Sequence, residues 1–370
     1  MQESFNISSS TGNYNVTVGS GLLNKIIADH ETAIYMIDQR LEHLLPASIT
    51  KRISIEANET NKSLERMPEI IQKMSAIGAN RTSHLIAIGG GVIQDIATFT
   101  ASVFMRGIEW TYLPTTMLGM ADSCIGGKSS INNLGYKNLV GNFYPPKNVI
   151  IDTDFINSLN DEQIIGGLCE AAKICYARGY SYFQQYLTEN PSSSMDSGNA
   201  QRVINKTLTT KKWFIETDEF DQNERLLLNF GHTFGHALEA GTNFGITHGI
   251  AVGIGMIIAA EYANEANMLT EQGKKAAEHL ISHIKLLFGD DLLKIVPTPP
   301  TINLDAIIEK FNNDKKHKTD NYRMVIPVQN GQLELISEPK DLTVKNRIKS
   351  AYINGLSLIN YPTDLIKHAE

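Results

Sequence analysis

The stretch His84-Leu-Ile-Ala-Ile-Gly-Gly-Gly-Val-Ile-Gln-Asp95 decides the fold class of this 370-residue chain. A short apolar run leads directly into three glycines, and a helical pattern of apolar residues follows them. A buried strand, a glycine turn and a helix in this order are typical of an α/β layer. The stretch therefore predicts that the chain begins with an α/β domain.

Similar apolar runs occur on both sides of this stretch within the first 150 residues. The predicted strands are residues 33–37, 52–55, 84–88, 110–113 and 149–151. Residues 63–77 carry apolar side chains at helical spacing between the second and third of these strands. Strands that alternate with helices predict a largely parallel sheet.

From residue 161 onward the pattern is almost entirely helical. The predicted helices are residues 161–177, 202–216, 226–241, 248–268 and 271–287. One exception is a hairpin, predicted from residues 322–327 and 332–336 on either side of Asn330-Gly331. Since 370 residues exceed the size at which one core usually stops growing, we expect a second, helical domain.

Composition narrows the classes of function. The net charge is −7 and no basic run is present, which argues against a nucleic-acid partner. Three cysteines are too few for a disulfide framework and favour a reducing compartment. The N-terminus lacks a secretory pattern, and the apolar residues 249–260 are too few for a bilayer span of about 20 residues. We expect a cytoplasmic protein without membrane contact.

The glycine triplet is also a candidate nucleotide site. Glycines before a helix let the backbone approach a pyrophosphate, and the helix offers free N–H groups. The spaced pattern G-x-G-x-x-G is absent, so a purely structural turn remains an alternative. Asp38, after the first predicted strand, is placed where a carboxylate can bind ribose hydroxyls, or where a turn residue is simply solvated.

The strongest chemical signal lies in residues 229–236, which contain His232 and His236. Positions i and i+4 share one face of a helix, so both imidazoles can converge on one centre. His248 follows twelve residues later, and Glu170 lies on an upstream predicted helix. Two imidazoles and a carboxylate form a three-ligand set for a catalytic divalent metal, with one histidine left for proton transfer. The alternative is a group of ordinary core or surface histidines.

Basic residues recur beside glycines, turns and the histidine segment of this acidic chain. They are Arg106, Lys128, Lys137, Lys173, Lys211, Arg225, Lys315 and Lys316. Each alone is most simply a solvated cation. As a group they suit a small ligand with several negative charges.

Taken together and in this order, these segments resemble the 3-dehydroquinate synthase family. The matching stretches are residues 89–95, 106–107, 114–116, 121–128, 137–141, 170–173, 225–236 and 248–249. The resemblance implies a Rossmann-like NAD-binding α/β domain over residues 1–157 and an all-α metal- and substrate-binding domain over residues 158–370. It also implies a homodimer, tightly held NAD and a divalent metal, zinc or cobalt.

The resemblance assigns roles residue by residue. Glu170, His232 and His248 match the metal ligands, and His236 matches a phosphate-pocket residue that assists proton transfer. The NAD contacts it implies are Asp38, Glu59, Lys62, Gly90, Gly91, Asp95, Thr115, Thr116, Lys137 and Ser158. The substrate contacts it implies are Asp122, Lys128, Lys137, Asn138, Lys173, Lys211, Arg225, Asn229, Lys315 and Lys316. Arg106 matches a phosphate contact supplied by the other subunit of the dimer.

The family reaction implied is the cyclisation of 3-deoxy-arabino-heptulosonate 7-phosphate to 3-dehydroquinate, a lyase step of the shikimate pathway and so of aromatic amino acid biosynthesis. NAD is reduced and reoxidised within each turnover, and phosphate is released. Arg225 and Asn229 match residues that favour a carboxylated substrate, whereas Gln94, Glu224 and Ile250 depart from the family pattern. The alternatives are a cyclase of secondary metabolism, acting as an amino-dehydroquinate, 2-deoxy-scyllo-inosose or sedoheptulose 7-phosphate cyclase, and a metal-dependent polyol dehydrogenase.

Overall fold

The chain folds into a strand-rich first part and a helical second part, as the periodicity predicts. The computed structural model describes residues 2–289, 292, 295–296, 298–314 and 316–367. Its strands are β1 (Glu3–Ile7), β2 (Tyr14–Gly19), β3 (Ile34–Asp38), β4 (Arg52–Ile55), β5 (Leu85–Gly89), β6 (Trp110–Pro114), β7 (Ile131–Asn133), β8 (Tyr136–Val140), β9 (Asn148–Asp152), β10 (Ile302–Asn303), β11 (Asn321–Val328), β12 (Gln332–Pro339) and β13 (Ile366–Lys367). Its α-helices are α1 (Leu22–Asp29), α2 (Met67–Ala76), α3 (Gly91–Val103), α4 (Asp161–Arg178), α5 (Tyr180–Leu187), α6 (Ser197–Thr217), α7 (His232–Gly241), α8 (His248–Glu265), α9 (Glu271–Phe288), α10 (Leu304–Asn312) and α11 (Leu342–Leu358).

Two compact units divide the chain. The first comprises Met1–Leu159 and Met195–Glu219, and the second comprises Asn160–Ser194 and Phe220–Glu370. Helix α6 therefore packs with the sheet-containing unit, although it follows α4 and α5 in sequence. The functional division at residues 157 and 158, into an NAD-binding and a metal-binding domain, stays a prediction.

The first unit contains a seven-stranded sheet in the order β1-β2-β9-β6-β5-β3-β4. All neighbouring pairs are parallel except β1 and β2. The five strands predicted from apolar runs are β3, β4, β5, β6 and β9, which confirms the predicted parallel layer. Parallel strands end at one edge of the sheet, so Asp38, Gly89 and Pro114 lie along the same edge. This edge carries the glycine loop.

The second unit packs its helices closely around α8, which is buried along most of its length. A Cβ at Gly249 would lie 2.3 Å from the carbonyl oxygen of Gly166, so the backbones of α8 and α4 touch. A Cβ at Gly235 would lie 2.6 Å from the carbonyl oxygen of Ala251, so α7 and α8 touch as well. These glycines bring together the three helices that carry the candidate metal ligands. Over the described residues, no helix has the length and apolarity needed to cross a bilayer.

Two local features fix where the helices of the second unit begin. Asn160 forms a capping box at the start of α4: its side chain accepts from Gln163 N at 2.9 Å, and the Gln163 side chain accepts from Asn160 N at 3.1 Å.

The prediction of one continuous helix over residues 226–241 is wrong. Residues 224–229 form a 3₁₀ turn, and Gly231 adopts a left-handed φ of 75° before α7 starts. The predicted hairpin is confirmed as the antiparallel pair β11 and β12.

His283 predicts a pH-dependent stability of the second unit. This side chain is 5% exposed and packs edge-on against Phe183 and Tyr186. Burial, together with the charge of His279, lowers the pKa of His283 to about 4. The folded state therefore keeps His283 neutral, whereas the unfolded state takes up a proton below a pH of about 6.5. His283 therefore leaves the unfolding free energy unchanged above that pH. It lowers the unfolding free energy as the pH falls toward 4.

We expect His283→Gln to remove this part of the pH dependence. Between pH 7 and pH 5, the parent should lose roughly 2 kcal/mol more unfolding free energy than the variant. Urea unfolding at both pH values, with equal metal and NAD present, measures the difference. His43→Gln, at an exposed histidine of the first unit, is the control and should keep the parental pH slope. Equal slopes for the parent and His283→Gln would contradict the prediction.

Candidate functional site

The second unit brings the predicted histidines and glutamate into one cluster. Helix α7 contributes His232 and His236, α8 begins at His248, and α4 carries Glu170. Glu170 Oε1 lies 3.1 Å from His248 Nε2 and 3.7 Å from His232 Nε2. Ligand atoms of the three histidines all lie within 4.8 Å of one another. The geometry groups all four side chains, and the division into metal ligands and a proton-transfer histidine remains what the family resemblance implies.

The outer ring nitrogens of two histidines are held by hydrogen-bond acceptors. His232 Nδ1 lies 3.2 Å from Phe230 O, and His248 Nδ1 lies 3.0 Å from Glu239 Oε2. An acceptor at Nδ1 favours a proton there, which leaves Nε2 as the nitrogen that faces Glu170 and can bind a metal once it is deprotonated. A carboxylate and imidazoles held in this way form a donor set that fits a divalent zinc or cobalt ion.

Charges inside the cluster set its protonation. Burial alone would raise the pKa of Glu170, but Lys173 and His248 lower it well below its usual range. Burial, with the cations nearby, lowers the pKa of His232 strongly and that of His236 to about 3. Burial opposes protonation of His248, yet Glu170 and Glu239 raise its pKa to about 10. The cluster thus offers two neutral imidazoles and one that must lose a proton to bind a metal.

Lys173 forms an ion pair with the second carboxylate oxygen of Glu170, the candidate metal ligand. Its ammonium lies 2.5 Å from Glu170 Oε2, and both side chains are buried. The two residues are one helical turn apart on α4, as their i and i+3 spacing predicts. Glu170 Oε1 is consequently the oxygen that faces the histidines.

Further predicted substrate contacts lie beside this cluster in the second unit. The ammonium of Lys316 is buried and has no hydrogen-bond partner among the described residues. Its charge contributes to the low pKa values of His232 and His236, which places it close to them. Arg225 is buried in the 3₁₀ turn, and Asn229 Nδ2 donates to Leu226 O at 3.0 Å. Lys315 lies outside the described residues.

In the first unit, the candidate dinucleotide residues lie at the carboxyl edge of the sheet. Gly90 precedes α3 and Gly91 begins it; a Cβ at Gly90 would lie 2.9 Å from the Thr116 side chain. Thr115 N donates to Gly89 O at 3.1 Å. The Asp38 carboxylate already accepts from Arg40 Nη2 at 2.6 Å. The edge therefore has the close backbone approach that a phosphate-binding loop needs.

The buried Lys62 contacts three more of the predicted residues in the first unit. Lys62 Nζ lies 3.1 Å from Asp95 Oδ2, 3.1 Å from Asn138 Oδ1 and 3.2 Å from Glu59 Oε1. Burial raises the pKa of Asp95 to about 6, although Lys62 acts in the opposite direction. Lys137, next to Asn138 on β8, is exposed.

Another pair of predicted residues holds a π-helical turn, Gly119–Ser123. Lys211 Nζ lies 2.5 Å from Asp122 Oδ1 and donates to Asp122 O at 2.6 Å and to Ile125 O at 3.2 Å. Gln94 ties α3 to the same turn, since its Nε2 donates to Ser123 O at 2.6 Å and its Oε1 accepts from Ser123 Oγ at 2.7 Å. The turn that contains Asp122 is thus held by Lys211 on one side and by Gln94 on the other.

Three further predicted site residues are Arg106, Lys128 and Ser158. Lys128 and Arg106 are exposed, and Arg106 has a left-handed φ of 71°. Ser158 Oγ donates to Phe155 O at 2.7 Å. Within the described ranges, neither Arg106 nor Ser158 forms an ion pair or side-chain hydrogen bond with another predicted site residue.

Glu239 is a site residue that the sequence reasoning missed. It follows His236 by three positions and His232 by seven, which places it on the same face of α7. That spacing was the available signal, but its partner His248 belongs to the next helix. The contact between them gives His248 the carboxylate support typical of metal-binding histidines.

We expect Glu239→Ala to lower metal affinity by roughly 10- to 100-fold, because His248 loses the acceptor that orients its ring. Glu239→Gln keeps an oxygen acceptor without the charge and should fall between the parent and the alanine variant. Competition titration of zinc against a chromophoric chelator measures the affinity without turnover. Glu261→Ala, at a half-buried glutamate of α8, is the control. An unchanged affinity in Glu239→Ala would rule out this role.

Comparisons with known proteins identify the family of this chain. Residues 52–166 match the domain family described as 3-dehydroquinate synthase N-terminal, and residues 167–317 match 3-dehydroquinate synthase C-terminal. A 3-dehydroquinate synthase from Natranaerobius thermophilus is 32% identical over 358 residues, which cover 91% of this chain and 95% of that protein. A 3-dehydroquinate synthase from Xylella fastidiosa is 32% identical over 358 residues, which cover 90% of this chain and 88% of that protein.

A solved structure shares both the fold and part of the sequence. It is a 2-deoxy-scyllo-inosose synthase in complex with carbaglucose-6-phosphate, NAD+ and Co2+, with a TM-score of 0.80 and 25% identity. The match covers 94% of this chain and all of that chain. Two consecutive domain families match most of the sequence, and relatives that align over nearly their whole length are more than 30% identical to it. The chain therefore belongs to the 3-dehydroquinate synthase family.

Proposed function

We propose that this chain is a 3-dehydroquinate synthase, which converts 3-deoxy-arabino-heptulosonate 7-phosphate to 3-dehydroquinate with release of phosphate, using NAD and a divalent metal. The observation that carries the proposal is the cluster of the buried Glu170 with the partly exposed His232 and His248, beside the buried ammonium of Lys316, which has no hydrogen-bond partner among the described residues. A metal donor set next to a buried cation suits a substrate that has both hydroxyl groups and acidic groups. Family membership supports the same reaction.

Glu170, His232 and His248 would hold the metal, and the loop with Gly90 and Gly91 would hold the dinucleotide. When bound, NAD accepts and returns a hydride, and the metal polarises a substrate hydroxyl. Within the chain, Lys173 keeps Glu170 ionised and directs Oε1 toward the histidines. The protein thereby orients its ligands before any substrate arrives.

The acidic groups of the substrate need cations and hydrogen-bond donors. Lys316 supplies an ammonium, and Arg225 supplies a guanidinium suited to a carboxylate. His236 is neutral and can donate its ring N–H to a phosphate oxygen. A carboxylate opposite Arg225 is the reason to prefer the heptulosonate phosphate over neutral sugar phosphates. We further propose a homodimer in which Arg106 reaches the phosphate of the neighbouring subunit.

The test is a parallel turnover assay of the protein with NAD and zinc or cobalt. The substrates are the heptulosonate phosphate, sedoheptulose 7-phosphate and glucose 6-phosphate, and both phosphate and NADH are measured. We expect phosphate release without net NADH from the first substrate. Release from one of the others instead would identify a related sugar phosphate cyclase. NADH that accumulates in proportion to substrate would identify a dehydrogenase. His236→Ala, purified in the same way, controls for contaminating enzymes.

A further inference from the structure

A cavity of about 220 Å³ lies in the second unit beside the histidine cluster. Thr233, which directly follows His232, forms part of its wall together with Asn229 and Lys316. The hairpin of β11 and β12 forms another part, from which Arg323 lines the cavity. The cavity therefore joins predicted substrate contacts to a residue that no sequence motif singled out.

The ammonium of Lys316 shows what kind of ligand the cavity suits. Burial lowers the pKa of Lys316, and the nitrogen has no hydrogen-bond partner in the described part of the chain. A buried cation without a hydrogen-bonded partner is costly, and an anionic ligand removes that cost. Two carboxylates act on Lys316 through their charge, Asp314 more strongly than Asp221, and Asp221 also lines the cavity.

Arg323 adds a second positive charge to the same cavity. Its backbone N donates to His317 Nδ1 at 3.0 Å, which fixes the start of β11 next to the segment of Lys316. Its guanidinium makes no hydrogen bond or ion pair with a described residue. The five N–H donors of a guanidinium form a fork that matches a carboxylate or a phosphate. Two cations and the carboxylate of Asp221 leave the cavity wall with a net positive charge.

We propose that Arg323 is a substrate-binding residue, which together with Lys316 holds one acidic group of the substrate, a phosphate or a carboxylate. The inference rests on the proposed function, since it deepens the description of the same site. Arg323 would then contribute to specificity, because a substrate without that group would leave the guanidinium unpaired.

The experiment measures anion binding without turnover, so that it stays separate from the test of the reaction. Calorimetry of the zinc- and NAD-loaded protein uses two probes: inorganic phosphate, and 3-dehydroquinate as a carboxylate without phosphate. The variants are Arg323→Gln and Arg323→Lys, with Lys318→Gln, at an exposed lysine, as the charge-matched control. Zinc affinity and thermal unfolding of each variant show that the fold is retained.

We expect Arg323→Gln to weaken the binding of one probe by roughly 10- to 100-fold, as for the loss of a charge-assisted hydrogen bond. Arg323→Lys should restore part of the affinity, and Lys318→Gln should match the parent. The probe that is weakened identifies the acidic group. Equal affinities for both probes in Arg323→Gln and the parent, or no binding of either probe by the parent, would overturn the inference. A parent that binds a probe but does not turn over the heptulosonate phosphate refutes the proposed reaction only.

Discussion

Replacing Glu170 by alanine is expected to destabilise the protein by about 3–5 kcal/mol, because it removes the carboxylate that balances the buried ammonium of Lys173. The ion pair is 2.5 Å long, and both side chains are at most 4% exposed. The same change removes the only carboxylate that faces both His232 and His248 among the described residues. Tight zinc binding should therefore be lost as well. Urea unfolding without added zinc measures the first effect, and chelator competition measures the second.

A double variant separates these two consequences. In Glu170→Ala with Lys173→Met, the buried ammonium is removed together with the carboxylate, so much of the lost stability should return. Zinc binding should stay weak, because the oxygen ligand is still missing. Lys274→Met, at an exposed i and i+3 pair with Glu271, is the control and should change stability little. If Glu170→Ala unfolds at the parental urea concentration and still binds zinc tightly, the role assigned to this pair is wrong.

Gly249→Ala is expected to damage the same site without altering any ligand. The added Cβ would lie 2.3 Å from Gly166 O, whereas an ordinary contact begins at 3.4 Å, so the two helices must separate by about 1 Å. Overpacking of this kind costs about 1–3 kcal/mol of stability. Metal sites hold their ligand distances to about ±0.2 Å, so a shift of that size next to His248 should weaken zinc binding at least tenfold.

Gly198→Ala is the matched control for the helix-crossing variant. Gly198 lies in the first turn of α6, where the added Cβ would meet only the Asp196 side chain, at 3.4 Å. Alanine there should be neutral or slightly stabilising. Urea unfolding and zinc titration of both variants test the expectation. Parental stability and zinc affinity in Gly249→Ala would show that the helices do not touch as described.

The parts of the fold that could be predicted are those with a local physical cause. Buried central strands consist of apolar runs, so β3, β4, β5, β6 and β9 were recognisable. Strand β1 pairs only with β2 at the edge of the sheet, and its exposed polar residues hide it. The break at Gly231 was missed because an apolar, glycine-containing segment reads equally well as a continuous helix. Periodicity also does not reveal that α6 packs with the first unit.

The candidate site shows the same limit. The spacing of His232 and His236 on one helix is a local feature and was visible in the sequence. Glu239 acts on a residue of the next helix, and Arg323 shares a cavity with Lys316 only because β11 folds back beside it. Such partnerships depend on tertiary packing, which pattern reading does not supply. The contact of Glu239 with His248 and the shared cavity of Arg323 and Lys316 are therefore visible only in the folded structure.

The hydrogen bonds of Gln94 have a consequence for how ligands bind. Gln94 belongs to α3, the helix that follows the glycine loop. Its side chain forms two hydrogen bonds with Ser123, in the turn that contains Asp122. Any shift of that helix when a dinucleotide binds would also move the carboxylate of Asp122, which the family resemblance assigns to the substrate. Cofactor and substrate are consequently expected to change each other's affinity, by the same factor in both directions, as linkage requires.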